Sequence, residues 1–202
     1  MDPKKAVALE TRLDSTYWNS KYIANETGWD IGYANPVLIE FVRQNFKKDT
    51  KILIPGLGNG YELQALWENG YKNAVGLDLA PAAREAFLER VAGFPPEQYV
   101  LENFFDHQNS YDLIIEQTFF CALSPSLRED YSLKMHDLLE DKGQLAGLLF
   151  HLDRKDGPPF GGNKAEYTKL FNANFQIVTM EICEKSIAPR LGNEYFFQLL
   201  KK

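Results

Sequence analysis

The sequence predicts an α/β protein whose core is a seven-stranded, mostly parallel β-sheet with helices on both faces and an antiparallel hairpin at the C-terminal end. Two observations carry this prediction. Short apolar runs alternate with amphipathic stretches along most of the chain, which is typical of the strands and helices of a parallel sheet. The last two apolar runs, 175–181 and 195–200, are joined by a loop containing Pro189 and Gly192 and are expected to pair antiparallel.

The chain of 202 residues, 45% of them hydrophobic, is long enough for one domain with a full core and too short for two ordinary ones. We therefore expect a single domain over 1–202. The net charge of −6 and the dispersed basic residues give no footprint for nucleic acid or an anionic membrane, so a small-molecule partner is expected. No apolar segment approaches the roughly 20 residues that span a bilayer, and the start of the chain lacks the apolar core of a signal peptide. A cytoplasmic monomer is the prediction.

Residues 1–46 are predicted to form a helical segment ahead of the sheet. Asp14 or Ser15 can cap a short helix, because their side-chain oxygens can accept hydrogen bonds from free N–H groups of the first turn. Pro36 suits the first position of a second, amphipathic helix. The stretch 25–35 between the two is expected to be an ordered loop.

The first strand and a glycine-rich turn lie in 52–62, Ile-Leu-Ile-Pro-Gly-Leu-Gly-Asn-Gly-Tyr-Glu. Its branched apolar run is the signature of a buried strand. Gly56, Gly58 and Gly60 let the chain turn sharply, so a ligand can approach bare backbone. Eighteen residues after Gly60, a second apolar run ends in Asp78. At the tip of the neighbouring strand, this carboxylate is expected to accept hydrogen bonds from ribose hydroxyls.

The remaining elements alternate in the order expected for a parallel sheet. A helix after the glycine turn is expected to end near Asn69, and Gly143 is expected to separate a helix from the strand that follows it. The predicted elements are strand 74–78, helix 81–91, strand 99–101, strand 111–116, helix 126–139, strand 145–150 and helix 166–171.

The glycine spacing indicates which nucleoside ligand is expected. Gly56-x-Gly58-x-Gly60, with Tyr61 following, is not the Gly-x-Gly-x-x-Gly fingerprint of a dinucleotide site. A nicotinamide-dependent oxidoreductase is therefore the weaker of two enzymatic interpretations. An adenosyl ligand without a pyrophosphate suits the pattern better, and it would lie across the carboxyl ends of the first strand and its neighbours.

Side chains at the ends of two further strands are predicted to surround that ligand. Asn103, at the end of the third strand, can accept a hydrogen bond from the adenine amino group, and Phe104 can cover a face of the ring. Glu116 and Gln117, at the end of the fourth strand, are expected beside the methionine part and the reacting sulfonium.

Six segments, spread over nearly the whole chain, resemble one known family. They are 17–22 (Tyr-Trp-Asn-Ser-Lys-Tyr), 27–32 (Thr-Gly-Trp-Asp-Ile-Gly), 54–58 (Ile-Pro-Gly-Leu-Gly), 76–78 (Gly-Leu-Asp), 111–123 (Tyr-Asp-Leu-Ile-Ile-Glu-Gln-Thr-Phe-Phe-Cys-Ala-Leu) and 157–160 (Gly-Pro-Pro-Phe). In these segments the chain is similar to the thiopurine S-methyltransferase family, which includes thiol and halide methyltransferases and has the Rossmann-like class I methyltransferase fold. The Gly-Pro-Pro-aromatic loop is the most specific of the six.

The resemblance implies an S-adenosyl-L-methionine-dependent methyltransferase that releases S-adenosyl-L-homocysteine. It also implies that the N-terminal aromatic segment folds over the cofactor as a lid, with Trp29 facing the acceptor as well. The predicted cofactor contacts are Trp18, Tyr22, Trp29, Gly56, Gly58, Asp78, Leu79, Asn103, Phe104, Glu116 and Gln117.

Two positions depart from the pattern of the family. Leu57 stands where the glycine motif usually has cysteine, and Gln117 stands where the thiopurine enzymes have arginine. The run 118–122, Thr-Phe-Phe-Cys-Ala, resembles the halide and thiol branch more closely.

The acceptor implied by the resemblance is a small soft nucleophile: a thiol, hydrogen sulfide, a thiopurine or a halide. In-line displacement needs no covalent enzyme intermediate, so positioning can supply most of the acceleration. A dry pocket would keep an anionic acceptor poorly hydrated. The predicted walls of that pocket are Trp29, Phe119, Phe120 and Phe160.

A neutral thiol would need a base or a cation that favours the thiolate. His151, Arg154 and Arg190 are the candidates, and the sequence does not choose among them. No metal site is predicted, because the histidines show no metal-ligand spacing, and His107 and His136 are expected at the surface. A third interpretation is a non-catalytic protein that binds S-adenosylmethionine as a sensor.

Overall fold

The computed structural model describes residues 13–202, and in this part of the chain seven strands form one sheet in the order β3-β2-β1-β4-β5-β7-β6. The strands are β1 Ile52–Pro55, β2 Ala74–Asp78, β3 Tyr99–Leu101, β4 Tyr111–Gln117, β5 Leu139–Phe150, β6 Phe175–Ile182 and β7 Glu194–Lys201. Strands β1 to β5 pair in parallel, whereas β7 runs antiparallel to both β5 and β6. The predicted mostly parallel sheet and its C-terminal antiparallel pair are confirmed.

Six α-helices accompany the sheet in residues 13–202. They are α1 Ser15–Ile23, α2 Pro36–Asn45, α3 Tyr61–Glu68, α4 Pro81–Arg90, α5 Arg128–Asp137 and α6 Lys164–Phe171. None of these helices has both the length and the apolar content needed to cross a bilayer.

Two separate hydrophobic cores lie on the two faces of the sheet. Side chains of successive strand residues point to opposite faces, so in β1 Leu53 joins one core while Ile52 and Ile54 join the other. Met135 of α5 and Phe171 of α6 pack into the first core. The second core receives Val42 of α2 and apolar residues of α3 and α4, whereas Leu38 of α2 packs in a small third cluster with Leu148 and Cys183. Helices on both faces were predicted and are confirmed.

The N-terminal helices begin where the sequence predicts. The Asp14 side chain accepts the Tyr17 N–H at 2.9 Å, which caps α1. The Asn35 side chain accepts the Val37 N–H at 3.0 Å, which caps α2, and Pro36 fills the first position of that helix. Residues 1–12 of the predicted N-terminal segment lie outside the described residues.

The predicted boundaries around Gly143 are wrong. Strand β5 already begins at Leu139, so the helix ends earlier than the predicted 126–139, and Gly143 lies inside the strand. The pairing with β4 shifts register between Tyr111 and Leu113, which are opposite Leu139 and Gln144. Extra residues on β5 form a bulge there, and a glycine within an apolar run marks such a bulge as readily as a strand boundary.

Candidate active site

A cavity of about 1060 Å³ opens at the carboxyl ends of β1, β2, β3 and β4. Strand β1 is flanked by β2 on one side and by β4 on the other, so the direction of the chain connections reverses beside it. Ligands of open α/β sheets bind at such a switch point. All the predicted cofactor contacts except Glu116 line this cavity.

The glycine turn after β1 forms one wall of the cavity. Gly56, Gly58 and Gly60 have φ values of 62°, 56° and 71°, in the left-handed region that side chains disfavour. A Cβ on Gly56 would overlap the Phe119 ring, and one on Gly58 would lie 2.5 Å from the Tyr22 hydroxyl. The predicted sharp turn is therefore confirmed, and the close approach of two aromatic rings depends on it.

The Asp78 carboxylate joins the tips of β1 and β2. One of its oxygens accepts the Gly58 N–H at 2.7 Å, and the other accepts the N–H groups of Leu79 and Ala80 at 2.7 and 2.9 Å. Burial raises the pKa of this carboxyl, and the three N–H groups oppose that rise. A carboxylate offers about four lone-pair sites, so Asp78 can accept a further hydrogen bond.

An aromatic cluster from the N-terminal segment covers the cavity. The Trp29 ring lies edge-on to Trp18 and Tyr22, with ring centroids 5.5 and 5.9 Å apart. All three rings line the cavity. Helix α1 buries none of its own residues, so its aromatic side chains face the cavity region rather than either core.

Two polar contacts attach α1 to the body of the protein. The Ser15 hydroxyl donates to the Leu79 carbonyl at 2.7 Å, and the Asn19 side chain accepts the Ala82 N–H at 2.8 Å. Leu79 follows β2 directly, and Ala82 lies in the first turn of α4. The helix that covers the cavity is thus held beside Asp78.

The loop after β3 forms the wall next to Asp78. The Asn103 side chain accepts the Phe105 N–H at 3.1 Å and lines the cavity. His107 is only 6% exposed, so the expectation of a surface position is wrong. Its Nδ1 lies 2.7 Å from the Glu102 carboxylate and its Nε2 lies 2.8 Å from the Tyr111 hydroxyl. These contacts tie the loop to the start of β4.

Glu116 and Gln117 at the end of β4 have different environments. Gln117 lines the cavity, and its Oε1 is buried without a hydrogen-bond partner among the described residues. Glu116 is fully buried and does not line the cavity. One Glu116 oxygen accepts the N–H groups of Phe119 and Phe120 at 3.2 and 3.3 Å. Glu116 therefore lies away from the cavity in which the methionine part is expected, because the side chains of successive strand residues point to opposite faces of the sheet.

Arg190 is the one of the three catalytic candidates that lines the cavity. It is 9% exposed, and its guanidinium donates to the Trp29 carbonyl at 2.7 Å and to the Glu194 carboxylate at 3.3 Å. His151 and Arg154 are exposed and do not line the cavity. The His151 ring packs against a neighbouring tyrosine, and Arg154 bonds to a carbonyl of its own loop.

Of the predicted acceptor walls, Trp29 and Phe119 line the cavity, whereas Phe120 and Phe160 do not. Phe120 packs inward among the aromatic rings of α5 and α6. Phe160 is buried inside its own loop, against Gly157. The cavity wall on that side is instead made by Phe150, Pro158 and Pro159.

The sequence model of the thiopurine S-methyltransferase family matches residues 13–195 of this chain. The chain belongs to the thiopurine S-methyltransferase family. It is therefore an S-adenosylmethionine-dependent methyltransferase, as the sequence predicts.

Curated relatives carry related names. The chain is 32% identical to a probable thiol methyltransferase 2 of Arabidopsis thaliana, over 92% of this chain and 85% of the relative. It is 30% identical to a thiocyanate methyltransferase 1 of Brassica oleracea, over 95% of this chain and 88% of the relative. A thiopurine S-methyltransferase of Photobacterium profundum is 22% identical, over 79% and 83%.

Solved structures support the fold. A Burkholderia thailandensis 1,6-didemethyltoxoflavin-N1-methyltransferase superposes with a TM-score of 0.74 at 17% identity, covering 100% of this chain and 91% of the other. A magnesium protoporphyrin IX methyltransferase of Synechocystis PCC 6803 gives 0.67 at 15% identity, covering 94% and 97%. The Rossmann-like class I methyltransferase fold is confirmed.

The cavity of this family member fits S-adenosylmethionine in three respects. The orphaned Gln117 oxygen needs a donor, which a bound ligand can supply. The glycine turn lines the cavity, and Asp78 retains acceptor capacity at the neighbouring strand tip. The residues present therefore suit the cofactor that the family uses.

Two acidic residues of the cavity were missed by the sequence analysis. The Asp30 carboxylate accepts hydrogen bonds from the Asn59 side chain and the Gly32 N–H. The Glu62 carboxylate accepts the Asn35 N–H at 2.9 Å, and burial raises the pKa of its carboxyl. Asp30 lies in the segment 27–32 that resembles the family, and Glu62 lies two residues after Gly60. Only their closeness to these segments could have indicated that they line the cavity. Within residues 13–202, no group of three or more His, Cys, Asp or Glu side chains could hold a metal ion.

Burial of Glu116 gives a prediction for the pH dependence of stability. Desolvation raises the pKa of Glu116 from 4.5 to about 8, so the folded protein keeps a proton that the unfolded chain releases above pH 4.5. Its stabilising contribution is complete below pH 4.5 and is lost as pH rises to 8. We expect the free energy of unfolding of Glu116→Gln to rise steadily, relative to wild type, by roughly 1 kcal/mol per pH unit between pH 5 and 8.

Denaturant unfolding at several pH values measures this difference. Glu97→Gln, at an exposed position, is the matched control and should track the wild type at every pH. A constant difference between Glu116→Gln and wild type would show that Glu116 is ionised throughout.

Proposed function

We propose that this methyltransferase transfers the methyl group of S-adenosylmethionine to a small soft nucleophile: a thiol, hydrogen sulfide, a thiopurine, or a halide or similar anion. The observation that carries the proposal is Arg190, a buried cation that lines the cavity and lies over the ring of Phe150, another lining residue. The names of the thiol and thiocyanate methyltransferases among the relatives support the same class of acceptor.

On the donor side, we propose that Asp78 accepts hydrogen bonds from the ribose hydroxyls, and that Asn103 and Phe104 hold the adenine. The backbone of the glycine turn would meet the amino acid part. Asp30 and Glu62, at the same wall, supply negative charge for its ammonium group. Each assignment rests on where these side chains lie along the four strand ends.

When bound, the cofactor supplies an electrophilic methyl group, and its sulfur leaves as the neutral thioether of S-adenosylhomocysteine. The chain's own contribution is to align the acceptor and to keep it dry. Trp29, from the N-terminal loop, and Phe119, from the turn after β4, both line the cavity. Helix α1 and the loop 25–35 act as the cover of the cavity. The proposed cover corresponds to the described part of the predicted lid.

Arg190 is proposed to hold an anionic acceptor or to favour the thiolate of a thiol. A nearby positive charge lowers the pKa of an acid. Two of the five N–H donors of its guanidinium are used by Trp29 and Glu194, so donors remain for a ligand. No histidine of residues 13–202 lines the cavity, which fits an acceptor that reacts as an anion without a general base.

Family membership favours this enzyme over the two alternatives raised by the sequence. A nicotinamide-dependent oxidoreductase would need a pyrophosphate site, and the glycine turn lacks that spacing. A non-catalytic sensor would bind the cofactor without transfer, which an activity measurement distinguishes.

An acceptor panel tests the proposed reaction. Full-length protein is incubated with methyl-labelled S-adenosylmethionine and, separately, with hydrosulfide, a small thiol, a thiopurine, iodide and thiocyanate. We expect transfer to at least one of them, because a buried cation, Arg190, and aromatic side chains such as Trp29 and Phe119 line the same cavity. Transfer to none, with S-adenosylhomocysteine still bound, would contradict the acceptor class and favour the sensor.

Replacement of Asp78 tests the donor side. We expect Asp78→Ala to weaken S-adenosylhomocysteine binding about tenfold or more in calorimetry, because the buried carboxylate and its charged hydrogen bonds are lost. Asp141→Ala, exposed at the start of β5, is the matched control. Equal affinity of Asp78→Ala and wild type would show that the ribose does not bind there.

Replacement of Arg190 tests the acceptor side. With a thiol acceptor we expect Arg190→Gln to lower kcat/KM about 10- to 100-fold, with Arg190→Lys between Gln and wild type. The pH at which the rate is half-maximal should rise in Arg190→Gln, because the cation no longer favours the thiolate.

Arg43→Gln, exposed on α2, is the matched control for Arg190→Gln and should behave as wild type. Affinity for S-adenosylhomocysteine should stay within about threefold in all three variants. If cofactor affinity fell in parallel with kcat/KM, Arg190 would hold the lid segment and not the acceptor.

A further inference from the structure

The turn that follows β4 has an unfavourable backbone and needs outside support. Thr118 has φ of 62°, in the left-handed region that a β-branched residue rarely adopts. Such a conformation costs of order 1 kcal/mol or more and persists only when its surroundings hold it. The contacts that surround the turn 118–120 therefore decide where its side chains lie.

The Glu116 carboxylate supplies two of those contacts. One oxygen accepts both the Phe119 N–H and the Phe120 N–H, at 3.2 and 3.3 Å. These donors belong to consecutive residues that no strand ladder pairs. Because Glu116 is fully buried, water cannot replace the carboxylate as their acceptor.

The turn determines the position of one aromatic ring that lines the cavity. Phe119 packs directly on Gly56, where any Cβ would overlap its ring, and edge-on to Phe104 with centroids 5.1 Å apart. Phe119 therefore touches the glycine turn on one side and, on the other, Phe104, which is proposed to hold the adenine. A shift of the turn would move this ring relative to both.

We infer that Glu116 is a positioning residue for methyl transfer, which fixes the turn 118–120 so that Phe119 forms the wall along which donor and acceptor are aligned. Glu116 does not line the cavity, so it acts through Phe119 and touches neither ligand. The inference rests on the proposed function only for the identity of the acceptor.

The surroundings of Glu116 favour its neutral form. The titratable groups that interact with it are the Cys121 thiol, the Tyr131 hydroxyl of α5, the Tyr167 hydroxyl of α6 and the Glu194 carboxylate of β7. None of them is a cation, and burial raises the Glu116 pKa to about 8. A neutral side chain of the same shape with an acceptor oxygen should therefore replace it, whereas an apolar one should not.

Two variants of the full chain separate the positioning role from general packing. Glu116→Gln keeps an acceptor oxygen for both N–H groups, whereas Glu116→Leu keeps bulk and removes the acceptor. For the best acceptor of the panel, we expect Glu116→Leu to lower kcat about tenfold or more, because a small misplacement in alignment is costly. Its Kd for S-adenosylhomocysteine should change less than about threefold, and Glu116→Gln should restore kcat to within about threefold of wild type.

Three outcomes would overturn the inference: wild-type kcat in a folded Glu116→Leu, equal loss in both variants, or a loss of cofactor affinity as large as the loss of kcat. Should Glu116→Leu fail to fold, amide hydrogen exchange of wild type still decides. The Phe119 and Phe120 amides should be protected, and rapid exchange of both would show that Glu116 does not hold the turn. Absence of transfer by wild type itself would count against the proposed function and leave the exchange result to judge the positioning role.

Discussion

The hydrogen bond between the Gly58 N–H and the Asp78 carboxylate is the contact on which the site depends. It joins the carboxyl ends of two adjacent parallel strands, β1 and β2, at the point where the order of the strand connections reverses. Because the acceptor is a buried carboxyl group, the turn must keep the Gly58 N–H directed at it. The positive φ of Gly58 allows the backbone to adopt that geometry. Helix α1 is attached to Leu79, which follows Asp78 and donates a hydrogen bond to its carboxylate. The position of the helix over the cavity therefore depends on the same carboxylate.

The Phe119 ring packs against Gly56, and this contact is possible only because residue 56 has no side chain. Gly56 follows β1 and Phe119 lies in the turn after β4, and the Phe119 ring occupies the space that a side chain at position 56 would need. Since β1 and β4 are adjacent parallel strands, their carboxyl ends meet without further adjustment. Strand pairing alone does not fix the turn that carries Phe119, and the buried Glu116 accepts hydrogen bonds from the Phe119 and Phe120 N–H groups of that turn.

The features that could be predicted from the sequence are those with local causes. Strand patterning, caps and the glycine turn depend on a few neighbouring residues, so most of their positions were found. The boundary near Gly143 was not, because it depends on a bulge in the pairing of β5 with β4. His107 was misplaced because its burial depends on Glu102 and Tyr111, which it contacts only after β3 and β4 are aligned. Phe120 and Phe160 were assigned to the cavity because they sit in loops at the correct edge, but the direction of a loop side chain depends on what it packs against.

The Arg190–Glu194 pair illustrates how function can explain a buried charge that stability does not. Removing two ions from water costs several kcal/mol per ion, and a buried pair often contributes no more than apolar residues of similar volume. Here the pair also uses a hydrogen bond from Ser186 to Glu194, and the guanidinium reaches across to the Trp29 carbonyl. That bond connects the last hairpin to the loop that covers the cavity, over 161 residues of chain. In the proposed function, a cation at this position both holds the covering loop and provides a positive charge for the acceptor, which apolar residues of similar volume could not do.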